Sequence, residues 1–176
     1  MQGETALGEL EYLVKRPNEI FLPEGEEAPA TDDDDDADLD QEELLKQPVH
    51  IPFRARKDPR ELRILDPACG SGHFLLYTFD LLITIYEEAW RDADAAVFEE
   101  TGKSLREDYP GEDDLKRALP ELVLRHNLHG VDIDGRCAQI AALALWMRAQ
   151  RAYNQFEVDR GELPPITKTN IVVAEP

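Results

Sequence analysis

Apolar and polar positions divide the chain into three regions: residues 1–22, 23–47 and 48–176. In the first region, apolar side chains recur at helical spacing between Leu7 and Val14, which predicts an N-terminal helix over residues 1–22. Pro17 favours an end of the helix near Arg16, because the residue before a proline disfavours helical backbone.

The second region, residues 23–47, is predicted to be a disordered acidic linker. It contains proline, glycine, glutamate and the aspartate run Asp32–Asp36. Like charges at this density repel each other and bury no apolar surface. A calcium-binding loop would need alternating ligands, a central glycine and a final glutamate, and the run lacks that order.

The third region alternates short and long apolar segments, as α/β domains do. The predicted strands are Leu62–Asp66, Leu128–Ile133 and Ile171–Ala174, and the predicted helices are Phe74–Trp90, Asp113–His126 and Gly135–Tyr153. Strands that alternate with helices form a parallel sheet with helices on its faces. Three strands are too few to complete such a sheet, so a partial α/β fold is expected. Residues 92–114 are polar and acidic, which predicts an exposed insertion.

Charge and composition narrow the function classes. The formal net charge of −19 argues against unaided binding to nucleic acid, because phosphate backbones attract basic surfaces. No segment has the roughly 18 consecutive apolar residues of a membrane span, and the N-terminus lacks the order of a signal peptide. We therefore expect a cytoplasmic protein without a membrane partner. The two cysteines and four histidines follow no metal-ligand spacing, so no metal site is predicted.

The densest chemical signal is Asp66–Phe74, whose sequence DPACGSGHF contains the glycine loop, Pro67 to Gly72. It lies between a predicted strand and a predicted helix, where open α/β sheets bind ligands. Gly70 and Gly72 let the backbone turn sharply and approach a ligand. The helix start behind them offers free N–H groups to a carboxylate or phosphate. Asp66 is placed to accept a hydrogen bond from a bound amine.

A second signal is the segment Gly130–Asp134, with the sequence GVDID. An acid at the carboxyl end of the second strand, Asp132, would lie beside the glycine loop and could accept both ribose hydroxyls. Ile133 could then lie against a purine. Asp134 is better explained as the cap of the following helix. Taken alone, Asp132 fits an ordinary strand-end turn equally well, and its pairing with the glycine loop favours ribose binding.

Two other nucleotide sites fit the loop poorly. A dinucleotide site needs a third glycine where Leu75 stands, and an acid about 20 residues further on, whereas Asp132 lies much further along the chain. A phosphate loop of the Walker type needs a Gly-Lys-Ser/Thr ending, which is absent.

Asp66–Leu75 resembles the first cofactor motif of the adenine-N6 DNA methyltransferases. Gly130–Asp134, together with the apolar run Ala141–Trp146, resembles the second motif and its helix. Similar motifs occur in the large methyltransferases of BREX and phage-growth-limitation defence systems and in the modification parts of restriction enzymes. The resemblance implies the N-terminal part of a Rossmann-like methyltransferase fold over residues 48–176, truncated at its C-terminus.

The resemblance further implies S-adenosyl-L-methionine as the cofactor. Its binding residues in the first motif would be Asp66, Pro67, Ala68, Gly70, Ser71, Gly72, His73 and Phe74. Asp132 would hold the ribose and Ile133 would pack on the adenine. Glu175 falls where the family often has an acid near the adenine amino group.

The family's catalytic motif, Asn/Asp-Pro-Pro-Tyr/Phe, is absent, so no catalytic residue is assigned. The only double proline, in Leu163–Ile166, has no polar residue before it and no aromatic residue after it. A base must leave the DNA stack to be methylated, and nothing in the sequence builds the pocket for it. We therefore expect the chain alone to be inactive, and DNA to be bound through the missing C-terminal part. The remainder of the enzyme, or a complementing chain, would pair with the open edge of the first strand, which invites self-association in its absence.

Two alternatives stay open at this point. One keeps the fold but acts on RNA or a small molecule, because fold alone does not decide the substrate. The other is a non-catalytic interaction module with a vestigial cofactor pocket. The acidity and the missing motif favour the second alternative, whereas the intact glycine loop and Asp132 count against it.

Overall fold

The computed structural model describes residues 18–29, 46–53, 55–159, 161, 163–166 and 168–174. Its residues fall into two compact units, divided between Arg56 and Lys57. Most of the predicted N-terminal helix and the aspartate run Asp32–Asp36 lie outside the described residues. The disorder predicted for the linker therefore stays a prediction.

The first unit contains a pair of short parallel strands, β1 (Glu19–Phe21) and β2 (Val49–Ile51). The Asn18 side-chain amide donates to the Gln47 carbonyl at 2.6 Å, just before both strands. The prediction of a helix over residues 1–22 is therefore wrong for β1. β-branched and aromatic side chains such as Ile20 and Phe21 favour extended backbone once a partner strand supplies the hydrogen bonds.

The second unit is a three-stranded parallel sheet with helices packed against it. Its strands are β3 (Ile64–Asp66), β4 (Leu128–Asp132) and β5 (Asn170–Val173), and its helices are α1 (His73–Arg91), α2 (Leu105–Asp108), α3 (Glu112–Leu122) and α4 (Gly135–Gln155). The strand order is β3-β4-β5, with all pairs parallel. The second and third strands thus lie to one side of the first. The predicted partial Rossmann-like α/β fold is confirmed.

The core of this unit lies between the sheet and its two long helices. Right-handed β-α-β connections that run in the same direction along a sheet place their helices on one face. The fully buried residues contributed by the two helices are Leu75, Phe79, Leu82 and Tyr86 of α1, and Ala141, Leu145 and Ala149 of α4. On the opposite face, Leu65 and Val172 are 59% and 54% exposed. The sheet is therefore covered by α1 and α4 on one face and leaves apolar side chains exposed on the other.

A buried ion pair closes the second unit at the amino ends of its strands. Arg60, only 3% exposed, donates to both carboxylate oxygens of Asp58, at 2.8 and 2.9 Å. Its third contact is with Oδ2 of Asp108 at 2.6 Å, and its guanidinium lies 4.6 Å from the ring centre of Phe98. The sequence does not reveal this buried pair, because the further partners of Arg60, Phe98 and Asp108, lie far along the chain.

Residues 92–114 are mostly exposed, as predicted for an insertion, but the segment also buries two apolar side chains. Phe98 and Leu105 are buried in this segment, and the short helix α2 begins with a capping box between Ser104 and Glu107. Because acidic and polar residues surround these two apolar side chains, the mean hydropathy of the segment gives no sign of them. The segment is held to the rest of the unit through Arg60.

Asn127 ties the beginnings of β3 and β4 together. Its buried side-chain amide donates to the carbonyls of Pro59 and Leu62 at 2.7 and 2.9 Å, and it accepts from the hydroxyl of Tyr86 at 3.0 Å. Burial raises the pKa of Tyr86 well above its ordinary value, so the hydroxyl stays a donor. The amino edge of the sheet is thus fixed by polar contacts.

Candidate ligand-binding site

The glycine loop and Asp132 meet at the carboxyl edge of the sheet. Asp66, the last residue of β3, pairs with Gly130 of β4, two residues before the end of that strand. The backbone N–H of Gly70 donates to Oδ2 of Asp132 at 2.8 Å. Two segments that lie 62 residues apart in the sequence are therefore in direct contact.

Further hydrogen bonds fix the course of the glycine loop. The N–H of Cys69 donates to the carbonyl of Val131 at 3.0 Å, and the N–H of Gly72 donates to the carbonyl of Cys69 at 2.8 Å. At the loop entrance, Oδ1 of Asp66 accepts from the N–H of Ala68 at 3.2 Å. The loop is therefore anchored to β4 as well as to its own strand.

Glycines allow two close approaches in the site. Gly72 has a left-handed backbone with φ of +86°, and a Cβ added there would lie 3.1 Å from Cβ of Ala141 on α4. A Cβ on Gly130 would lie 2.8 Å from Cδ1 of Ile171 and 3.0 Å from Cδ1 of Leu75. The sequence analysis assigns no role to Gly130 or Ala141. The signal that could have indicated one is that both are small residues within the two motifs.

Asp134 caps α4, which confirms its predicted structural role. Its Oδ1 accepts from the N–H of Arg136 at 2.9 Å, and its Oδ2 pairs with the Arg136 guanidinium at 2.9 Å. The side-chain and backbone hydrogen bonds from Arg136 lower the pKa of Asp134. Asp134 also donates its own N–H to Oδ1 of Asp132 at 2.8 Å. The two acids thus have distinct positions, one facing the glycine loop and one facing its own helix.

The remaining residues of the first motif surround the start of α1. His73 is the first residue of the helix, and its Nδ1 lies 3.0 Å from Oγ of Ser71. Pro67 and Ala68 are exposed, and so is Phe74, at 55%. No side chain caps α1, so its first N–H groups point toward the loop without a side-chain partner.

Ile133, between the two acids, is 85% exposed. Its exposed side chain presents an apolar surface next to Asp132. Glu175, the third predicted contact, lies outside the described residues. The segment Leu163–Ile166 with the double proline is irregular and precedes β5.

Cys69 is a buried residue of the glycine loop. Burial raises the pKa of its thiol, and the nearby carboxylates of Asp132 and Asp66 add to this effect. The thiol therefore stays protonated at neutral pH, and its place is in the packing under the loop rather than in nucleophilic chemistry. Among the described residues, no cluster of three histidine, cysteine or acidic side chains is arranged to hold a metal ion.

Replacing Gly72 by alanine should destabilise the unit by about 2 kcal/mol or more, from left-handed strain and the contact with Ala141. Gly102 is the matched control, because its φ is +67° and no atom lies within 4 Å of an added Cβ. Gly102→Ala should therefore cost only the backbone strain, about 1 kcal/mol. Urea unfolding of both variants checks this, and equal losses would show that the approach of the loop to α4 is loose.

Comparison with known proteins identifies the family to which this chain is similar. The family model of the MmeI DNA-methyltransferase domain matches residues 52–175, which is more than half of the chain. The adenine-specific methyltransferase BrxX of Escherichia coli O9:H4 (strain HS) is 34% identical over 94 residues, 53% of this chain and 6% of BrxX. The adenine-specific methyltransferase PglX of Lacticaseibacillus casei (strain Zhang) is 31% identical over 97 residues, 55% of this chain and 6% of PglX.

A proposed type II restriction enzyme and methyltransferase of Methanocaldococcus jannaschii is 32% identical over 126 residues, 71% of this chain and 9% of that protein. The chain thus spans less than a tenth of the length of each of these relatives. In the part of the chain that the structure describes, no helix is long and apolar enough to cross a membrane. The match over residues 52–175 confirms the resemblance seen in the sequence motifs: the chain belongs to the family of MmeI-type DNA-methyltransferase domains.

Proposed function

We propose that this chain is the S-adenosyl-L-methionine-binding portion of a site-specific DNA adenine-N6 methyltransferase of a restriction-modification or phage-defence system. The observation that carries the proposal is the contact between Gly70 and Asp132, which brings a glycine-rich turn and a strand-end acid together at the carboxyl edge of a parallel sheet. Open α/β sheets bind their ligands at this edge. Adenine is proposed as the target base because the relatives BrxX and PglX are named adenine-specific methyltransferases.

The residues at this edge fit the chemistry of the cofactor. The positions around an added Cβ at Gly70 are empty to 4 Å, so the backbone there is open to a ligand. The uncapped start of α1 suits the methionine carboxylate, and Asp66 suits its ammonium group. Asp132 faces the place of the ribose, and the exposed Ile133 offers an apolar surface to the adenine. When bound, the cofactor supplies an electrophilic methyl group.

The net charge of the chain is compatible with binding of the cofactor but opposes binding of DNA. S-adenosyl-L-methionine carries a sulfonium and an ammonium group, so an acidic surface does not repel it. DNA is repelled by a net charge of −19. We therefore assign the DNA contacts, and the catalytic Asn/Asp-Pro-Pro-Tyr/Phe motif that these 176 residues lack, to other parts of the methyltransferase.

The exposed face and edge of the sheet fit a place within a larger methyltransferase domain. Leu65 lies on β3, which has a neighbouring strand on one side only among the described residues, and Val172 lies on the same face of β5. Unpaired strand edges and apolar faces favour association with further polypeptide. The remainder of the enzyme, or a complementing chain, would cover them, and the isolated chain is expected to self-associate.

The chain should bind the cofactor without turning it over. Incubation with methyl-labelled S-adenosyl-L-methionine, followed by ultraviolet cross-linking, should label the protein, whereas mixed DNA in the same tube should gain no label. The reason is the presence of the glycine loop and Asp132 without the catalytic motif. Unlabelled cofactor in excess should abolish the cross-link, which serves as the control.

Two results would change the proposal. Label in the DNA would show that residues of this chain perform the transfer. A folded chain that is not cross-linked would instead favour the non-catalytic interaction module with a vestigial pocket.

A further inference from the structure

The carboxylate of Asp132 accepts one backbone hydrogen bond on each of its two oxygens. Oδ2 accepts from the N–H of Gly70 at 2.8 Å, and Oδ1 accepts from the N–H of Asp134 at 2.8 Å. The first contact holds the glycine loop, and the second holds the turn that leads into α4. One side chain therefore joins the two segments that form the candidate site.

The loop depends on such an anchor at Gly70. This residue has a left-handed backbone with φ of +53°, and no atom lies within 4 Å of an added Cβ. A side chain at this position would have no packing partner, and glycine has more backbone freedom to lose than any other residue. A hydrogen bond to an ionised acceptor is stronger than one between neutral groups. The contact with Asp132 therefore fixes Gly70, beside the hydrogen bond from Cys69 to Val131 that already ties the loop to β4.

An ionised carboxylate offers about four lone-pair positions on its two oxygens. The two backbone donors occupy one position on each oxygen, which leaves one on each for a ligand. Two neighbouring hydroxyl groups, such as those of a ribose, match this remaining pair. Ligand binding and the loop contact are therefore compatible at the same carboxylate.

We propose that Asp132 is a positioning residue that holds the glycine loop in its binding geometry before the cofactor arrives. The part that concerns the ribose rests on the proposed function, whereas the part that concerns the loop holds for the chain without any ligand. Preorganisation of this kind strengthens binding because the loop does not have to be ordered when the ligand binds.

The substitution Asp132→Asn separates a positioning role from simple contact with hydroxyls. The amide has nearly the shape of the carboxylate, but its NH2 group would face a backbone N–H, either that of Gly70 or that of Asp134. Two donors facing each other form no hydrogen bond. A ribose hydroxyl, by contrast, both donates and accepts, so it tolerates the amide. Asparagine should therefore preserve a ribose contact but not the double backbone contact.

The test is hydrogen–deuterium exchange of the whole chain without cofactor, measured for wild type, Asp132→Asn and Asp132→Ala. Amides of residues 68–73 should exchange about ten- to a hundredfold faster in both variants, as expected for loss of a charge-assisted hydrogen bond. Amides of α1 around Phe79 and Leu82, which are buried in the core, should exchange at the wild-type rate. Asp134→Asn is the control, because Asp134 does not contact Gly70 through its side chain.

Three outcomes would overturn the proposal. Unchanged exchange at residues 68–73 in both Asp132 variants would show that the loop does not need the carboxylate. Faster exchange throughout α1 would make Asp132 a residue of general stability. Cofactor affinity near the wild-type value in Asp132→Asn, with a large loss in Asp132→Ala, would reduce Asp132 to a hydroxyl contact. If neither the wild type nor any variant binds the cofactor, only the proposed function fails. The exchange of the ligand-free chain still decides whether Asp132 positions the loop.

Discussion

Replacing Arg60 by alanine is expected to lower the free energy of unfolding by about 3–5 kcal/mol, the usual cost of leaving a buried charge without its partner. Arg60 and Asp58 are 3% and 1% exposed and are joined by two parallel hydrogen bonds. Burial alone would lower the pKa of Arg60, but the hydrogen bonds that it donates to Asp58 and Asp108 outweigh it and raise the pKa. The substitution would leave the Asp58 carboxylate buried and unpaired by any cation.

Urea unfolding of Arg60→Ala and of a control, Arg91→Ala, measures this effect. Arg91 forms an exposed i,i+4 pair with Glu87 at 3.6 Å, so its loss should cost less than about 1 kcal/mol. Replacing Arg60 and Asp58 together by methionine and asparagine should cost less than Arg60→Ala alone, because no unpaired buried charge is left. Similar losses for Arg60→Ala and Arg91→Ala would mean that water enters and solvates the buried pair.

Replacing Asp132 by alanine should weaken binding of S-adenosyl-L-methionine on the order of tenfold to a few hundredfold. The loss combines the hydrogen bonds to the ribose with the contact that holds Gly70. Asp134→Ala is the matched control, since this acid lies two residues away and caps α4. Loss of a cap costs about 1 kcal/mol of stability and should change affinity little.

Titration of both variants with the cofactor, at a temperature where each is folded, separates the two roles. Equal affinity in wild type and Asp132→Ala would contradict the placement of the ribose. A larger loss of affinity in Asp134→Ala would exchange the roles of the two acids.

Features that depend on neighbouring residues in sequence could be predicted from the sequence. The strands and long helices of the second unit follow from local apolar runs, and their bounds differ from the predicted ones by about two residues, a normal uncertainty for element ends. The glycine loop and the Asp134 cap are likewise local motifs. Because parallel strands end at one edge, the meeting of the loop with Asp132 followed from topology.

Features that depend on distant partners could not be predicted. The burial of Arg60 depends on Asp108, 48 residues further along the chain, and on Phe98. The strand β1 forms only because β2 supplies its hydrogen bonds, so the local pattern was mistaken for the end of a helix. In each case a tertiary contact overrides the local preference of the backbone.

Calorimetric titration of the intact chain with S-adenosyl-L-methionine tests the central claim most directly. We expect saturable binding at a single site, abolished or strongly weakened in Asp132→Ala and retained in Asp134→Ala. No saturable heat at millimolar cofactor, from a chain whose circular dichroism shows the helices of the fold, would contradict the claim that the glycine loop and Asp132 form a cofactor site.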